Sequence, residues 1–326
     1  MWPIIISSTI FIISLVLIFS EKLNRTITAM IGAVCMVVFG MLFHFYGEDQ
    51  AAATIDFNTL GLLLGMMIIV SLLEPTGFFQ FLAVKVGKVS GGDPAKLLVL
   101  LGAITTLVSM FLDNVTTVVL IAPVTILICE ILGLNSQPYL MAEALLSNTG
   151  GVATLVGDPP NILIGSATGF TFLDFLTHSL PIVIFVWFTA LAILFFLFRK
   201  ELAQKPSDLE ALAELNAKDA LKDSRSAKKV IVVIFVMIVL FLLEEFLEIR
   251  PALIALGGCA VALVWTRPAI QETLKRVQWD VLIFFGALFI MIGGMQAAGV
   301  FDALVNLAVH LKTLPTVVLG LILLWV

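Results

Sequence analysis

The sequence has few charged residues, few histidines and few cysteines for its length. Charged residues make up 13% of the 326 positions, about half the share that is usual in a soluble globular protein. Apolar residues make up 60%, and the mean hydropathy is +1.13. A soluble protein of this size cannot bury so much apolar surface, whereas a lipid bilayer accepts it. The composition therefore predicts an all-α polytopic membrane protein.

The scarcity of reactive and metal-binding side chains excludes several classes of function. The three cysteines are scattered through apolar segments, so they form neither a disulfide framework nor a CxxC metal motif. The three histidines are isolated from one another, which excludes a zinc or haem site. The glycines near position 150 are not followed by Gly-Lys-Ser/Thr, so they do not form a phosphate-binding loop. We expect neither an enzyme nor a nucleic-acid partner.

Apolar runs recur along the whole chain, and a membrane helix needs about 20 such residues. The first run lacks the basic flank and the small-residue cleavage site of a signal peptide, so it predicts a membrane helix. A charged stretch at 199–229 separates the runs into two groups. The runs extend over residues 3–20, 27–44, 58–84, 97–132, 139–168, 172–198, 230–247, 252–266, 280–309 and 315–326.

The distribution of Lys and Arg predicts the orientation, because basic residues are retained on the cytoplasmic side of a membrane. With the N-terminus outside, all of the 18 Lys and Arg except Arg250 and Lys312 fall in cytoplasmic segments. This arrangement requires the run at 97–132 to begin and end on the same face. If that run crossed the membrane once, the basic stretch at 199–229 would lie outside.

The run at 97–132 is therefore predicted to be a hairpin with its tip near Asp113 and Asn114. Each arm would contain about 16 residues and extend roughly 24 Å, at 1.5 Å per residue. That length is shorter than the hydrocarbon core of about 30 Å, so the hairpin is predicted to be re-entrant. Non-helical backbone at that depth must be buried in protein or line an aqueous cavity.

Two parts of the chain resemble each other at a nearly constant offset. The first copy makes an odd number of crossings, so the second copy starts on the opposite face. This predicts an inverted-topology repeat, which is typical of secondary transporters. The aligned pairs are Ala29 with Ala255, Gly32 with Gly258, Leu60 with Leu282, Gly77 with Gly299, Phe79 with Phe301, and Leu82 with Leu304.

The repeat divides the chain into a first inverted repeat at 1–198, a cytoplasmic linker at 199–229 and an incomplete second repeat at 230–326. The repeat partner of Asp113 would fall beyond the last residue, so we expect the chain to be truncated within the second repeat. Within the linker, Ser207 is followed three residues later by Glu210. This capping box predicts a short helix in an otherwise solvated connection.

Two polar segments form the candidate site, one at the hairpin tip and one at 147–161, where glycines and prolines interrupt an apolar run. An ionisable group in a membrane costs roughly 2.5–3.5 kcal/mol, so such groups are typical of functional sites. The candidate ion-binding residues are Asp113, Asn114, Thr116, Thr117, Ser147, Asn148, Thr149, Gly151, Thr154, Asp158 and Asn161. The candidate helix-breaking residues are Gly150, Gly157, Pro159 and Pro160.

The break at 147–161 predicts two half-helices that face a polar gap. The carboxyl end of the first half and its freed carbonyls suit a cation, and the amino end of the second half suits an anion. Asn114 and Asn148 are candidate Na+ ligands. Alternatively, the glycines and prolines only kink the helix, while Asn and Thr satisfy its backbone. For Glu74 and Glu143, two further acids in apolar runs, a structural role is favoured over coupling.

The segments FLDNVTTVVLIAPVTILICEILGL and SNTGGVATLVGDPPNILIG resemble a known ion transporter superfamily. It includes arsenite permeases, D-type sodium/proton antiporters, citrate transporter-like and dicarboxylate carriers, and the melanosomal P protein, whose branch looks closest. The resemblance covers the whole chain and implies two re-entrant hairpins, two broken helices and a homodimer. In the carboxylate carriers, a Ser-Asn-Thr tip helps to bind sodium. The different tip here, Asp113 to Thr116, argues against dicarboxylate transport.

Three functions remain open. The first is cation/proton antiport, in which Na+ and H+ compete for Asp113 and Asp158. The second is transport of an anion or oxyacid such as arsenite, citrate or a dicarboxylate, and the third is an anion channel. All Lys and Arg lie outside the apolar runs, so the membrane-spanning segments offer no positively charged side chain to a carboxylate substrate. This favours the first function. An arsenite pump driven by ATP would require a separate ATPase subunit.

The expected environment is a lipid bilayer, the inner (plasma) membrane of a bacterium or archaeon. We expect the protein to carry a small inorganic or organic ion and to use no cofactor other than Na+ or H+ as coupling ion. Because polar backbone within a membrane requires a partner, we expect Asn148, Thr149 and Asp158 to lie within a few ångströms of the hairpin tip.

Overall fold

The computed structural model describes residues 2–207 and 209–309, together with residues 318 and 320, and all its described regular elements are helical. The predicted run at 315–326 falls almost entirely outside the described residues. The helices before the linker are α1 (Trp2–Phe19), α2 (Arg25–Leu42), α3 (Glu48–Thr54), α4 (Phe57–Leu73), α5 (Phe78–Ser90), α6 (Pro94–Ser109), α7 (Asn114–Leu132), α8 (Gln137–Gly151), α9 (Pro159–Thr168) and α10 (Phe172–Leu197). The helices that follow are α11 (Leu209–Glu214), α12 (Ala217–Ala220), α13 (Ser224–Leu242), α14 (Glu244–Leu247), α15 (Pro251–Thr266), α16 (Ile270–Lys275), α17 (Trp279–Ala297) and α18 (Val300–Val309).

Six helices among the described residues are long and apolar enough to cross a bilayer. They are α1, α2, α4 with the turn that follows it, α7, α10 and α17. Helices α6 and α15 are also apolar but shorter. The prediction of an all-α polytopic membrane protein is confirmed.

The order of helices repeats along the chain. Helices α1 to α5 have counterparts in α13, α15, α16, α17 and α18, with the single turn of α14 added between the first two. The long helices α4 and α17 both end at a break before the next helix. The glycines at these breaks, Gly77 and Gly299, have φ of +76° and +80°, a left-handed conformation that glycine adopts without strain. They are also aligned by sequence, which supports the repeat; the inverted orientation of its two copies stays a prediction.

The helices group into two compact units, and the division falls within α4 after Leu60. Unit 1 contains residues 1–60 and 278–326. Its core forms where α2 packs against α1 and α17. Gly32 on α2 permits this approach, because a Cβ atom there would lie 2.5 Å from Met291 Sδ on α17. The apolar cluster around this contact includes Ala29, Ala33, Met36, Tyr46, Ala287, Met291 and Met295.

Unit 2, residues 61–277, contains the candidate site. Its apolar core lies among α5, α6, α7, α8 and α10, and α6 packs along α8. Gly102 on α6 allows the side chain of Leu146 on α8 to approach closely. The buried side chains of this cluster include Leu97, Leu98, Leu101, Ile121, Ile128, Tyr139, Ala142 and Leu146.

Helices α6 and α7 form a hairpin, in which the start of α6 lies close to the end of α7. A Cβ atom on Gly92, just before α6, would lie 3.4 Å from Leu132 Cδ2 at the end of α7. The connection at the tip comprises residues 110–113. The arms contain 16 and 19 residues, so α7 is longer than the sequence interpretation allowed. That the hairpin is re-entrant in a membrane stays a prediction.

The linker is packed against the base of this hairpin, although a solvated connection was expected. The Ser207 N–H donates to the Leu132 carbonyl at 2.9 Å. Leu212 on α11 is 3% exposed and belongs to the apolar core of unit 2. Lys88 on α5 donates from Nζ to the Leu215 carbonyl at 2.8 Å. These contacts tie the linker to α5 and α7 of the first repeat.

Candidate functional site

The loop between α6 and α7 lies against the loop between α8 and α9. The Thr154 hydroxyl donates to the backbone carbonyl of Met110. The Asn114 side chain donates from Nδ2 to the Asn148 Oδ1 atom. The two polar segments that the sequence singles out therefore meet, and four helix ends converge where they do.

Asp113 is the N-cap residue of α7. Its Oδ1 atom accepts the Thr116 N–H at 2.8 Å, and its backbone carbonyl accepts the Thr117 hydroxyl at 2.9 Å. Asn, Ser or Thr could cap the helix equally well, so capping alone does not require a carboxylate. A carboxylate adds a negative charge at the positive end of the helix dipole, where that charge is stabilised.

Asp158 is the N-cap residue of α9, and Pro159 and Pro160 occupy the first two positions of that helix. Proline suits these positions because the first helical N–H groups have no partner within the helix. The Asp158 side chain makes no capping hydrogen bond among the described residues. Its carboxyl lies close enough to that of Asp113 for the two charges to interact. Two acidic side chains thus stand at two adjacent helix amino ends.

Asn161 closes the break from the side of α9. Its Nδ2 atom donates to the Gly151 carbonyl at 2.8 Å and to the Thr154 carbonyl at 2.9 Å. The two N–H bonds of one buried amide therefore satisfy the last carbonyl of α8 and a carbonyl of the loop that follows it. The sequence analysis predicted that freed carbonyls here would bind a cation. In the structure, two of them accept hydrogen bonds from the Asn161 amide.

Residues 15–326 match the sequence profile of a family described as "Citrate transporter". The chain belongs to the citrate transporter family. It is 41% identical to the 46 kDa membrane protein of Mycobacterium leprae, over 97% of this chain and 75% of that protein. It is 39% identical to an uncharacterized transporter of Mycobacterium tuberculosis, over 94% of this chain and 71% of that protein.

The P protein of Sus scrofa is 38% identical over 205 residues, which cover 60% of this chain and 24% of that protein. Together with the family match, this similarity confirms the resemblance that the hairpin tip and the GDPPN segment indicate. The protein is an integral membrane transporter of the citrate transporter family.

Some predicted site residues of the transporter direct their side chains to their own helix. The Ser147 hydroxyl donates to the Ala144 carbonyl at 3.1 Å. The Thr149 hydroxyl donates to the Leu145 carbonyl at 2.9 Å, so its described hydrogen bond stays within α8. Thr117 is fully buried and binds the N-cap of α7, as described above.

Two residues of α6 take part in the site although the sequence interpretation did not select them. The Ser109 hydroxyl donates to the Ser147 carbonyl at 2.7 Å. Thr106 Oγ1 lies 3.2 Å from the Leu146 carbonyl and accepts the Trp187 indole N–H at 3.0 Å. Both side chains lie three residues apart in an apolar helix and therefore on one face. This spacing is a signal from which they could have been found.

Glu74 of the transporter has an ion-pair partner. Its Oε1 atom accepts a hydrogen bond from Arg276 Nη1 at 3.0 Å. The pair joins the break after α4 to the segment that precedes α17. This contact agrees with the structural role that the sequence favoured for Glu74.

The glycines of the break allow α6 and α8 to approach each other closely. A Cβ atom on Gly150 would lie 2.9 Å from the Thr106 Cα atom. A Cβ atom on Gly157 would lie 3.0 Å from the Ser109 carbonyl oxygen. Contacts this short leave no room for a methyl group, so both residues are needed for backbone packing as well as for the break.

We expect Gly150→Ala to destabilise the transporter by about 1–3 kcal/mol, because the added methyl group would push α6 and α8 apart. Thermal unfolding of the protein in detergent measures the effect. Gly257→Ala in α15 is the matched control, since nothing lies within 4 Å of a Cβ atom there. The control should be neutral or stabilising by up to about 1 kcal/mol. Equal melting temperatures for the two variants would contradict the predicted close packing.

Proposed function

We propose that the protein is a secondary active transporter that exchanges a small cation, Na+ first among the candidates, for protons. The observation that carries this proposal is that Asp113 and Asp158 cap the amino ends of α7 and α9 where the two loops meet, so that their charges interact. Both acids stand at helix amino ends, whose dipoles stabilise their negative charges. Two negative charges that interact with each other attract a cation strongly in a medium of low dielectric constant.

The composition of the surrounding segment supports a positively charged cargo. Residues 97–169 contain no Lys, Arg or His, whereas they contain the four acids Asp113, Glu130, Glu143 and Asp158. A citrate trianion would face like charges here, with no basic side chain of these helices to hold it. The amides of Asn114 and Asn148, which bind each other, supply neutral oxygen atoms of the kind that coordinate Na+.

During a transport cycle, the hairpin of α6 and α7 and the broken helix of α8 and α9 would move as one body. Hydrogen bonds from Ser109 to the Ser147 carbonyl and from Thr154 to the Met110 carbonyl join the hairpin to the broken helix. The cation would therefore bind between two elements that are already linked. The proposed exchange requires that access to this place change from one side of the membrane to the other while these bonds persist.

Transport of citrate is the second candidate. The family match favours it, and the amino ends of α7 and α9 together could hold one carboxylate group through their N–H groups. Arsenite or a dicarboxylate would bind at the same helix ends. In an anion channel, the anions would pass these helix ends without a transport cycle. An arsenite pump driven by ATP would also need an ATPase subunit, because residues 1–326 contain no phosphate-binding loop.

The remaining expectations about the intact transporter are part of the same proposal. We place the protein in the inner membrane of a prokaryote, as a homodimer, with the N-terminus outside and the linker at 199–229 in the cytoplasm. Only Arg250 and Lys312 among the Lys and Arg depart from this orientation.

Reconstitution of the chain in liposomes that contain a pH-sensitive dye tests the proposed function. An inward Na+ gradient should make the lumen alkaline, because each entering cation is exchanged for protons, and a choline gradient should not. Uptake of labelled citrate is measured in parallel. Citrate uptake without any proton movement driven by a cation would favour the second candidate. A passive chloride current would favour the channel.

A further inference from the structure

Glu143 is an acidic residue that lies completely inside unit 2. It belongs to α8 and is 0% exposed. Neighbouring residues of α8, Tyr139, Ala142 and Leu146, are part of the apolar core. Neither the break nor the hairpin tip includes it. A carboxyl group at such a place is costly unless it is neutral or fully hydrogen-bonded.

The hydrogen bonds of Glu143 are incomplete for an ionised group. The Thr125 hydroxyl of α7 donates to Oε1. The Oε2 atom has no hydrogen-bond partner among the described residues, and Glu143 forms none of the ion pairs found there. An ionised carboxylate accepts several hydrogen bonds, whereas a protonated carboxyl needs fewer. The neutral, protonated form therefore fits this environment.

The neighbouring titratable groups offer Glu143 no positive charge. The other titratable side chains of α7 and α8 in this core are Cys129 and Tyr139, and neither carries a positive charge. The helices packed against α8 are α6, α7 and α10. Their other titratable residues lie near the helix ends and are at least partly exposed: Lys96, Asp113, Glu130, Asp174 and His178.

Glu143 is connected to the candidate site through α8. It lies one helical turn before Ser147, whose carbonyl binds the Ser109 hydroxyl of the hairpin. Its partner Thr125 follows Pro123, which lies inside α7. Proline removes one backbone hydrogen bond from a helix and weakens it locally. The contact between Glu143 and α7 thus lies beside a weak point of the hairpin.

We propose that Glu143 is a proton-binding site of the transporter, separate from the Asp113 and Asp158 pair. The carboxyl holds its proton while α7 and α8 are in contact. When that contact opens to water, the O–H bond breaks, the proton passes to water and the carboxylate remains. The contact closes again only after a proton has been taken up, because an ionised carboxylate would be buried with one donor. This inference rests on the proposed proton-coupled function and names a residue that carries the proton.

The first test measures protonation without transport. Infrared absorption of the full chain in lipid should show a neutral carboxyl band that persists at neutral pH and is absent from Glu143→Gln. Gln keeps the shape of the side chain and remains neutral. Glu130→Gln is the matched control, since Glu130 lies on the packed helix α7 but is exposed. If the band persists unchanged in Glu143→Gln, the inference is wrong.

The second test measures coupling. In liposomes, Glu143→Gln should lose proton movement driven by a cation gradient, while exchange of labelled Na+ for unlabelled Na+ continues. Thr125→Val, which removes the hydroxyl donor, should shift the pH dependence of transport and the carboxyl band together. A band that disappears while coupling and pH dependence stay as in the wild type would show a structural carboxyl and overturn the inference. If the wild-type protein itself shows no proton movement driven by a cation gradient, the proposed function fails, and the infrared test then decides the protonation of Glu143 separately.

Discussion

Asp113→Asn is expected to abolish proton movement driven by a cation gradient while leaving the protein folded. Asn retains the shape of Asp and is an equally good N-cap, so its side-chain oxygen can still accept the Thr116 N–H. The substitution removes only the negative charge that we propose to attract the cation. The measurement is dye-reported proton movement in liposomes under an imposed Na+ gradient. Asp158→Asn should have the same effect, because its carboxyl interacts with that of Asp113.

Asp93→Asn is the control for this substitution. Asp93 caps α6 at the base of the same hairpin, where its Oδ1 atom accepts the Lys96 N–H at 2.9 Å. The control therefore changes an N-cap carboxylate to an amide in the other arm, away from the tip. It should transport as the wild type does. Full coupled flux in Asp113→Asn would remove Asp113 from the mechanism.

Asn161→Asp is expected to have the largest effect on stability. The amide nitrogen donates to the carbonyls of Gly151 and Thr154, and a carboxylate would place a negative oxygen against them. An uncompensated buried charge costs about 3–5 kcal/mol. Asn161→Ala should lose less, because it removes the same two donors without adding a buried negative charge. Thermal unfolding and the yield of monodisperse protein in detergent report the difference.

The matched control for Asn161 is Asn135→Asp. Asn135 lies in the exposed loop after α7, and its side-chain oxygen accepts the Gln137 N–H at 3.1 Å. Asp keeps that oxygen, so the control should unfold at nearly the wild-type temperature. A result in which Asn161→Asp is as stable as Asn135→Asp would show that the break does not depend on the amide donors.

Much of the site could be predicted from the sequence, because polar residues are rare in membrane-spanning segments and are therefore easily recognised there. The break in 147–161, the loop near Asp113 and the contact between them follow from the cost of polar backbone in lipid. The rotation of each helix could not be predicted. Helix α7 is apolar on all sides, so its sequence does not distinguish the face toward lipid from the face toward protein. The hydrogen-bond partners of Thr149 on α8 and of Ser109 on α6 likewise emerged only from the structure.

The linker shows a second limit of the sequence pattern. Leu212 and Leu215 have the spacing of a short helix, but spacing alone gives no partner for their apolar side chains. In the structure they pack at the base of the hairpin. The charge density at 199–229 suggested a solvated connection, because the stretch contains eight Lys and Arg and six Asp and Glu. These side chains can extend their charged ends to water while apolar neighbours pack inside.

The pairing of α2 with α17 in unit 1 has a consequence for biosynthesis. The ribosome completes α2 by Leu42, but its packing partner begins only at Trp279. The close approach at Gly32 cannot form until most of the chain has been inserted. During that interval the small-residue face of α2 is exposed to lipid or to the insertion machinery. Long-range contacts of this kind form late and slowly. A nascent chain arrested before α17 should therefore lack the α2–α17 packing, whereas the unit that holds the candidate site can already have formed.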